Sequence, residues 1–124
     1  MTRINFAAMS VDQLVERFIE IGVAQSVALD HDAFAKYNHL FGQMVAVNQE
    51  LCSRGREAHL ALTKLYDFPN MQVRLKAATY TLTVVPDVAR RVLQSIADSR
   101  WPPQAMHAGM LLNDLNDDGT WNIK

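Results

Sequence analysis

The stretch that decides the fold is YDFPNMQVRLKAATYTL, residues 66–82. A Pro-Asn turn at residues 69–70 interrupts the chain, and a segment with helical periodicity follows it. Apolar residues lie on two sides of this segment, so we expect a helix over residues 71–85 that is covered on both sides. The two apolar rows are Val73, Ala77, Tyr80 and Val84, and Leu75, Ala78, Leu82 and Val85.

The polar side of the same predicted helix forms one unbroken row. Its side chains are short or flexible and mostly uncharged, which suits adaptable hydrogen bonding better than phosphate capture. In stacked helical hairpins the second helix of a pair tends to line an extended concave surface. We therefore interpret the row as a candidate binding face, with an ordinary solvated helix side as the alternative. The row consists of Gln72, Lys76, Thr79 and Thr83.

Helical periodicity and helix-terminating residues continue on both sides of this segment. Ser10 and Gln13 form a capping-box pattern at the start of the first predicted helix. Prolines at 69, 86 and 102 fall outside the predicted helix interiors, where proline is tolerated. We expect an all-α protein with six helices in three antiparallel hairpins. The predicted limits are a single domain over 1–124, an N-terminal extension over 1–9 and a C-terminal tail over 116–124. The first predicted helix begins at the cap Ser10 with an apolar stripe over 11–22, the second runs from about 30–32 to 54, and the others cover about 56–67, 71–85, from 86 with an inner face that reaches 96, and about 104–115.

The order of residues around the turn at 69–70 resembles the signature of HEAT-type repeats. An aspartate, Asp67, precedes the turn, and Val73-Arg74 and the small pair Ala77-Ala78 follow it. The small pair permits close approach of neighbouring helices, and Arg74 can reach back toward an acidic turn residue such as Asp67. We therefore interpret Asp67, Val73, Arg74, Ala77 and Ala78 as a structural repeat joint. The resemblance implies a short right-handed α-α superhelix with a HEAT-like or armadillo-like arrangement.

Residues 10–121 also resemble a small bacterial family of domains of unknown function with this α-α superhelix fold. The resemblance implies a fold, and it implies no activity and no catalytic residues. It rests on four segments: ELCSRG (50–55), VRLKAA (73–78), PPQAMHAGM (102–110) and NDDGTW (116–121).

Composition predicts a globular cytoplasmic protein. Hydrophobic residues are 49% and charged residues 20% of the chain, a balance typical of folded domains. Cys52 is the only cysteine, so no disulfide can form within the chain, as is usual in reducing compartments. The start of the chain lacks the apolar core of a signal peptide, and no apolar run reaches membrane-spanning length. A net charge of −1 gives no general attraction to nucleic acid.

The sequence DLNDDG (114–119) is the sharpest candidate for a metal site. It matches the first three ligand positions and the glycine position of an EF-hand calcium loop with Asp114, Asn116, Asp118 and Gly119. The closing bidentate carboxylate of such a loop would fall beyond Lys124. We therefore expect an acidic helix end here, and no metal ion.

The other candidates for chemistry favour ordinary structural roles. The four histidines show neither an HExxH pair nor a Cys-His zinc spacing, so we expect no metal and no cofactor. Arg54 and Arg56 could lower the pKa of Cys52, although a buried helical cysteine is the commoner case. We expect the methionines to fill gaps between helices and the arginines to be solvated. These residues are His31, His39, His59 and His107, Met71, Met106 and Met110, and Arg90, Arg91 and Arg100.

Two classes of function remain open from the sequence. The favoured one is a non-catalytic interaction module that binds a protein partner whose identity the sequence does not supply. The alternative is a nucleic-acid-associated HEAT-like protein, possibly an enzyme, which would need the basic residues of 54–100 to converge on one face. Residues 50–100 carry eight basic and five acidic side chains, a mild excess that a solvated surface explains more simply. The sequence leaves the oligomeric state open.

Overall fold

The structure is a computed structural model that describes residues 5–115. Over this range the chain is all-α, with six α-helices and no β-strand, which confirms the predicted fold class. None of the described helices is long and apolar enough to cross a membrane. The helices are α1 (Val11–Asp30), α2 (Phe34–Ser53), α3 (Arg56–Leu60), α4 (Met71–Thr81), α5 (Pro86–Asp98) and α6 (Gln104–Asp114), with 3-10 helices at Phe6–Ala8 and Ala61–Leu65.

The chain divides into two compact units, Met1–Ala61 and Leu62–Lys124. The division falls in the third predicted helix, which is shorter than expected: α3 ends at Leu60 and continues as the 3-10 helix Ala61–Leu65. A tightened 3-10 end is common where a helix runs into an irregular turn, here the turn before Pro69. The expectation of a single domain over 1–124 stays a prediction.

In the first unit, α1 packs along α2. The predicted capping box at the start of α1 is present: Ser10 Oγ accepts a hydrogen bond from the Gln13 backbone N–H, and Gln13 Oε1 accepts one from the Ser10 N–H. The connection between the helices includes Asp32 with a φ of 54°, a left-handed conformation that aspartate tolerates better than most residues. The core of this unit consists of Leu14, Phe18, Ile21, Ala28, Leu40, Met44, Val47 and Leu51.

In the second unit, α5 packs against both α4 and α6. Asn70 caps α4, since its side-chain oxygen accepts a hydrogen bond from the Val73 backbone N–H. Pro86 occupies the first turn of α5, as its fixed φ and missing N–H favour. The core cluster of this unit consists of Leu75, Ala78, Leu82, Ala89, Leu93, Ile96, Ala108 and Leu115.

Helix α4 ends at Thr81, four residues before its predicted limit. The residue before a proline is disfavoured in helical conformation, and Val85 accordingly has a φ of −136° and a ψ of 66°. The side-chain hydroxyl of Thr81 also donates back to the Ala77 carbonyl oxygen at 2.8 Å. The segment 82–85 therefore forms a turn rather than a last helical turn, and it forms no strand.

Candidate functional site

The polar row predicted as a binding face is not continuous in the structure. Gln72 has no exposed surface, which corrects the expectation that it faces solvent. Lys76 and Thr79 are half-buried, and the Thr79 hydroxyl donates to the Leu75 carbonyl oxygen at 2.7 Å. Thr83 is exposed but lies in the turn after α4. The exposed part of the row is therefore limited to parts of Lys76 and Thr79 and to Thr83.

Helix α6 explains the burial of Gln72. The Gln104 side-chain Nε2 donates a hydrogen bond of 3.0 Å to Gln72 Oε1, and Gln104 is only 3% exposed. Buried amides need such partners because they have exchanged water for an apolar environment. One turn further along each helix, Lys76 of α4 lies near His107 of α6. Burial lowers the pKa of His107, and the positive charge of Lys76 lowers that pKa further.

The opposite side of α6 presents large apolar side chains to solvent. Met106 is 68% exposed, Met110 59%, and Trp101, just before the helix, 60%. The expectation that methionines fill gaps is therefore wrong for Met106 and Met110, although Met71 does pack against the core cluster. The physical reason is the register of α6, which turns Gln104 and Ala108 inward and leaves the two methionines, one turn apart, outside. We call Trp101, Met106 and Met110 the α6 surface.

The α6 surface has no charged residue of its own and has charges of both signs at its ends. No charged residue occurs between Trp101 and Asn113. Arg100 directly precedes this segment and Asp114 directly follows it, and both are exposed, while Lys76 lies beside His107. In the sequence of the second unit, residues 62–124, there are seven basic and six acidic side chains, whereas residues 1–61 have five basic and seven acidic ones. The unit that holds the α6 surface is thus close to neutral, and the other unit is acidic.

The residues of the predicted repeat joint lie in the second unit. Val73, Ala77 and Ala78 have no exposed surface, as close packing of small side chains requires. Arg74 differs from expectation: its Nε donates to the carbonyl oxygen of Phe68, and within residues 5–115 no ion pair joins it to Asp67. A backbone carbonyl in an irregular turn lacks a helical partner, and the guanidinium supplies one. The structural role of the joint stays a prediction.

The histidines do not converge. His31 Nδ1 lies 2.9 Å from the Val27 carbonyl oxygen, and His39 Nε2 lies 3.2 Å from Gln43 Nε2. Across the described part of the chain, no group of three or more His, Cys, Asp or Glu side chains could hold a metal ion. Asp114 ends α6, while the rest of the calcium-like sequence 114–119, apart from Leu115, lies outside the described residues.

One cluster in the first unit was missed by sequence reasoning. Cys52 Sγ lies 3.6 Å from both ring nitrogens of His59, and His59 Nε2 lies 3.0 Å from Asn48 Oδ1. The Cys52 side chain is exposed, which corrects the expectation of a buried cysteine. Desolvation raises the pKa of its thiol, so the arginines nearby in sequence do not lower it. Arg54 instead binds Glu50 at 2.9 Å and donates to the carbonyl oxygens of Phe6 and Ala7.

Fold and surface together define an all-α protein with an exposed apolar helix face. The chain belongs to the family described as Domain of unknown function (DUF2019), whose profile matches residues 12–116. The predicted membership in a family of domains of unknown function is thereby confirmed. The chain is also similar to the protein RPA1889 from Rhodopseudomonas palustris CGA009. Its crystal structure has a TM-score of 0.90 and 42% sequence identity to this chain, and the match covers 98% of this chain and 100% of that one. None of the curated proteins compared with the chain matches it.

Proposed function

We propose that this chain is a non-catalytic protein–protein interaction module whose α6 surface binds an acidic amphipathic segment of a partner protein. The observation that carries the proposal is the exposure of two methionines and a tryptophan on a surface segment without charged residues. Interface cores are depleted in charge and enriched in aromatic residues and methionine. Methionine also adapts its shape to the partner because its side chain is flexible and polarisable.

The charge around the α6 surface selects the kind of partner. Arg100 directly precedes the surface and Lys76 lies beside His107 of α6, while Asp114 follows the surface at the other end. An acidic segment complements the two cations, while its apolar side chains fit the methionines. Nucleic acid is a poorer match, since binding a phosphate backbone depends on several convergent cations. The proposal includes the HEAT-like stacking predicted from the sequence, because such proteins bind partners along exposed helix faces.

The expected affinity is modest. Burying one methionine or similar side chain is worth about 1.5–3 kcal/mol, and association costs several kcal/mol in lost freedom. A short peptide should therefore bind with a Kd on the order of 10–100 μM. The probe is a fluorescent helical peptide with leucine on one face and glutamate elsewhere, titrated with the protein and followed by anisotropy. A peptide with lysine in place of glutamate tests the charge preference.

Two variants and one matched control test the surface. The double variant Met106→Gln/Met110→Gln should bind the peptide about tenfold more weakly or worse. A tenfold increase in Kd corresponds to about 1.4 kcal/mol of binding free energy. Arg100→Glu should weaken binding of the acidic peptide. Val88→Gln, at an apolar position of α5 that is 40% exposed, should bind as the wild type does.

Three possible results of this titration would contradict the proposal. Unchanged binding by the Met106→Gln/Met110→Gln variant would show that the peptide binds elsewhere. Equal binding of the lysine peptide would remove the assigned charge preference. Saturable binding of a short DNA duplex, abolished by Arg100→Glu while neither peptide binds, would favour the nucleic-acid alternative instead.

A further inference from the structure

The cluster of Cys52, His59 and Asn48 combines a nucleophile, a base and an orienting group. Asn48 and Cys52 lie one turn apart on α2, and His59 lies on α3. His59 is only 4% exposed, so its ring is enclosed by protein, whereas the Cys52 side chain reaches solvent. A nucleophile in contact with a base that a third group orients is the general arrangement of an activated nucleophile.

The hydrogen bond to Asn48 determines which nitrogen of His59 can act as the base. Asn48 Oδ1 can only accept, so the 3.0 Å contact places the proton on His59 Nε2. In its neutral form the ring then carries its lone pair on Nδ1, which is 3.6 Å from Cys52 Sγ, and Sγ also lies 4.0 Å from Asn48 Oδ1. A lone pair on Nδ1 is what a base beside the thiol needs.

The resting geometry is loose, as expected for a pair without a bound reactant. Sγ lies 3.6 Å from each of the two ring nitrogens, so it is not directed at Nδ1 alone. The proposed step requires Sγ to move toward Nδ1, and such contacts commonly tighten only when a reactant binds. Desolvation raises the pKa of the thiol, so at neutral pH little thiolate forms without a base.

We propose that Cys52, His59 and Asn48 form a nucleophilic thiol site that takes up small-molecule disulfides. Sγ attacks one sulfur of the disulfide while His59 Nδ1 accepts the thiol proton. The new Sγ–S bond forms as the S–S bond of the reagent breaks. A basic leaving thiolate takes the proton from His59, whereas a weakly basic one leaves as the anion and His59 releases the proton to solvent. The products are a mixed disulfide on Cys52 and one small thiol, with no net change in oxidation state. Asn48 is a positioning residue, which holds His59 in the required tautomer.

A disulfide brings its own oxidising equivalent, so exchange with it needs no further co-reactant. Exchange needs one proton removed from the attacking sulfur and, where the leaving thiolate is basic, one given to it, and a single imidazole can do both. The cluster lies in the first unit, so this inference is independent of the proposed role of the α6 surface.

The chain is well suited to a direct test because Cys52 is its only cysteine. The probe is dithiobis(nitrobenzoate), an aromatic disulfide whose released thiolate is followed by its absorbance. Rates are measured from about pH 6 to about pH 9, a range over which the thiolate fraction of a thiol rises steeply. The proteins are the wild type, His59→Gln, Asn48→Ala and the exposed-histidine control His39→Gln, with Cys52→Ser as the blank.

Base assistance predicts a distinct pH profile. The wild type and His39→Gln should keep a substantial rate at about pH 7, whereas His59→Gln should react at no more than about a tenth of that rate. At high pH the rate of His59→Gln should approach that of the wild type. Asn48→Ala should show a smaller loss in the same direction. A wild-type rate that rises tenfold per pH unit across this range, as free thiolate formation alone requires, would overturn the proposal even if His59→Gln does not fold. So would superimposable profiles for the wild type and folded His59→Gln.

Discussion

The buried contact between Gln72 and Gln104 supplies a prediction whose size follows from the structure. Gln72 has no exposed surface and Gln104 is 3% exposed, so neither amide can turn to water if the other is removed. Gln72→Leu leaves one Nε2–H of Gln104 without the Gln72 Oε1 acceptor that now lies 3.0 Å away. A buried donor without its partner costs about 1–3 kcal/mol.

The double replacement should cost less than the two single ones together. With leucine at both positions, the contact between α4 and α6 has apolar groups of similar length, and neither amide of the Gln72–Gln104 hydrogen bond remains. Replacing both partners of a buried hydrogen bond is often nearly neutral. The expected coupling energy between Gln72 and Gln104 is therefore about 1–2 kcal/mol, within the range for residues in direct contact.

Urea unfolding of the wild type, the two single variants and the double variant measures this coupling. The free energy of unfolding is extrapolated to zero urea. If the unfolding transition is the same in all four proteins, the slope of this free energy against urea concentration is also the same. Strictly additive losses would refute the reasoning, because they would mean that the two amides do not depend on one another. A loss below about 0.5 kcal/mol for Gln72→Leu would do the same, since that is the usual range for exposed positions.

Three other outcomes follow from the structure. Ala77→Leu and Ala78→Leu should each destabilise the protein by about 1–3 kcal/mol through overpacking, and wild-type urea midpoints for both would refute the close-packed joint. Because the pKa of His107 is lowered in the folded state, the unfolded chain binds more protons at this residue than the folded chain does. The contribution of neutral His107 to the free energy of unfolding is therefore complete above about pH 6.5 and is lost as the pH falls. His107→Gln should show a smaller loss of melting temperature on acidification, and parallel curves would contradict this. Calorimetry with calcium should show no micromolar binding; binding that Asp114→Ala abolishes would contradict the absence of a metal site.

Features that depend on neighbours in sequence could be predicted. The capping box at Ser10 and Gln13 and the position of Pro86 each depend on a few consecutive residues, and both appear in the structure. Helical periodicity likewise predicts the all-α class, because a stripe of apolar residues records which side of a helix is covered. The family resemblance identified from short segments is confirmed by the family match over residues 12–116.

Features that depend on distant residues could not be predicted. Gln72 looked like part of a polar face because glutamine is usually exposed, and only the contact with Gln104, 32 positions away, makes it a buried residue. Met106 and Met110 are apolar by type, but the register of α6 turns them to solvent. Asn48 and Cys52 share a helix face that periodicity could have shown. The position of His59 depends on how the chain turns at Gly55, where φ is 105°.

The measurement that bears most directly on the interaction proposal is nuclear magnetic resonance of isotope-labelled methionine methyl groups during titration with the acidic amphipathic peptide. The chain has six methionines, and single substitutions assign Met106 and Met110 among them. The account predicts that these two signals shift and saturate together, while Met44, which has no exposed surface, stays unchanged. Saturable binding without any shift of Met106 and Met110 would contradict the account.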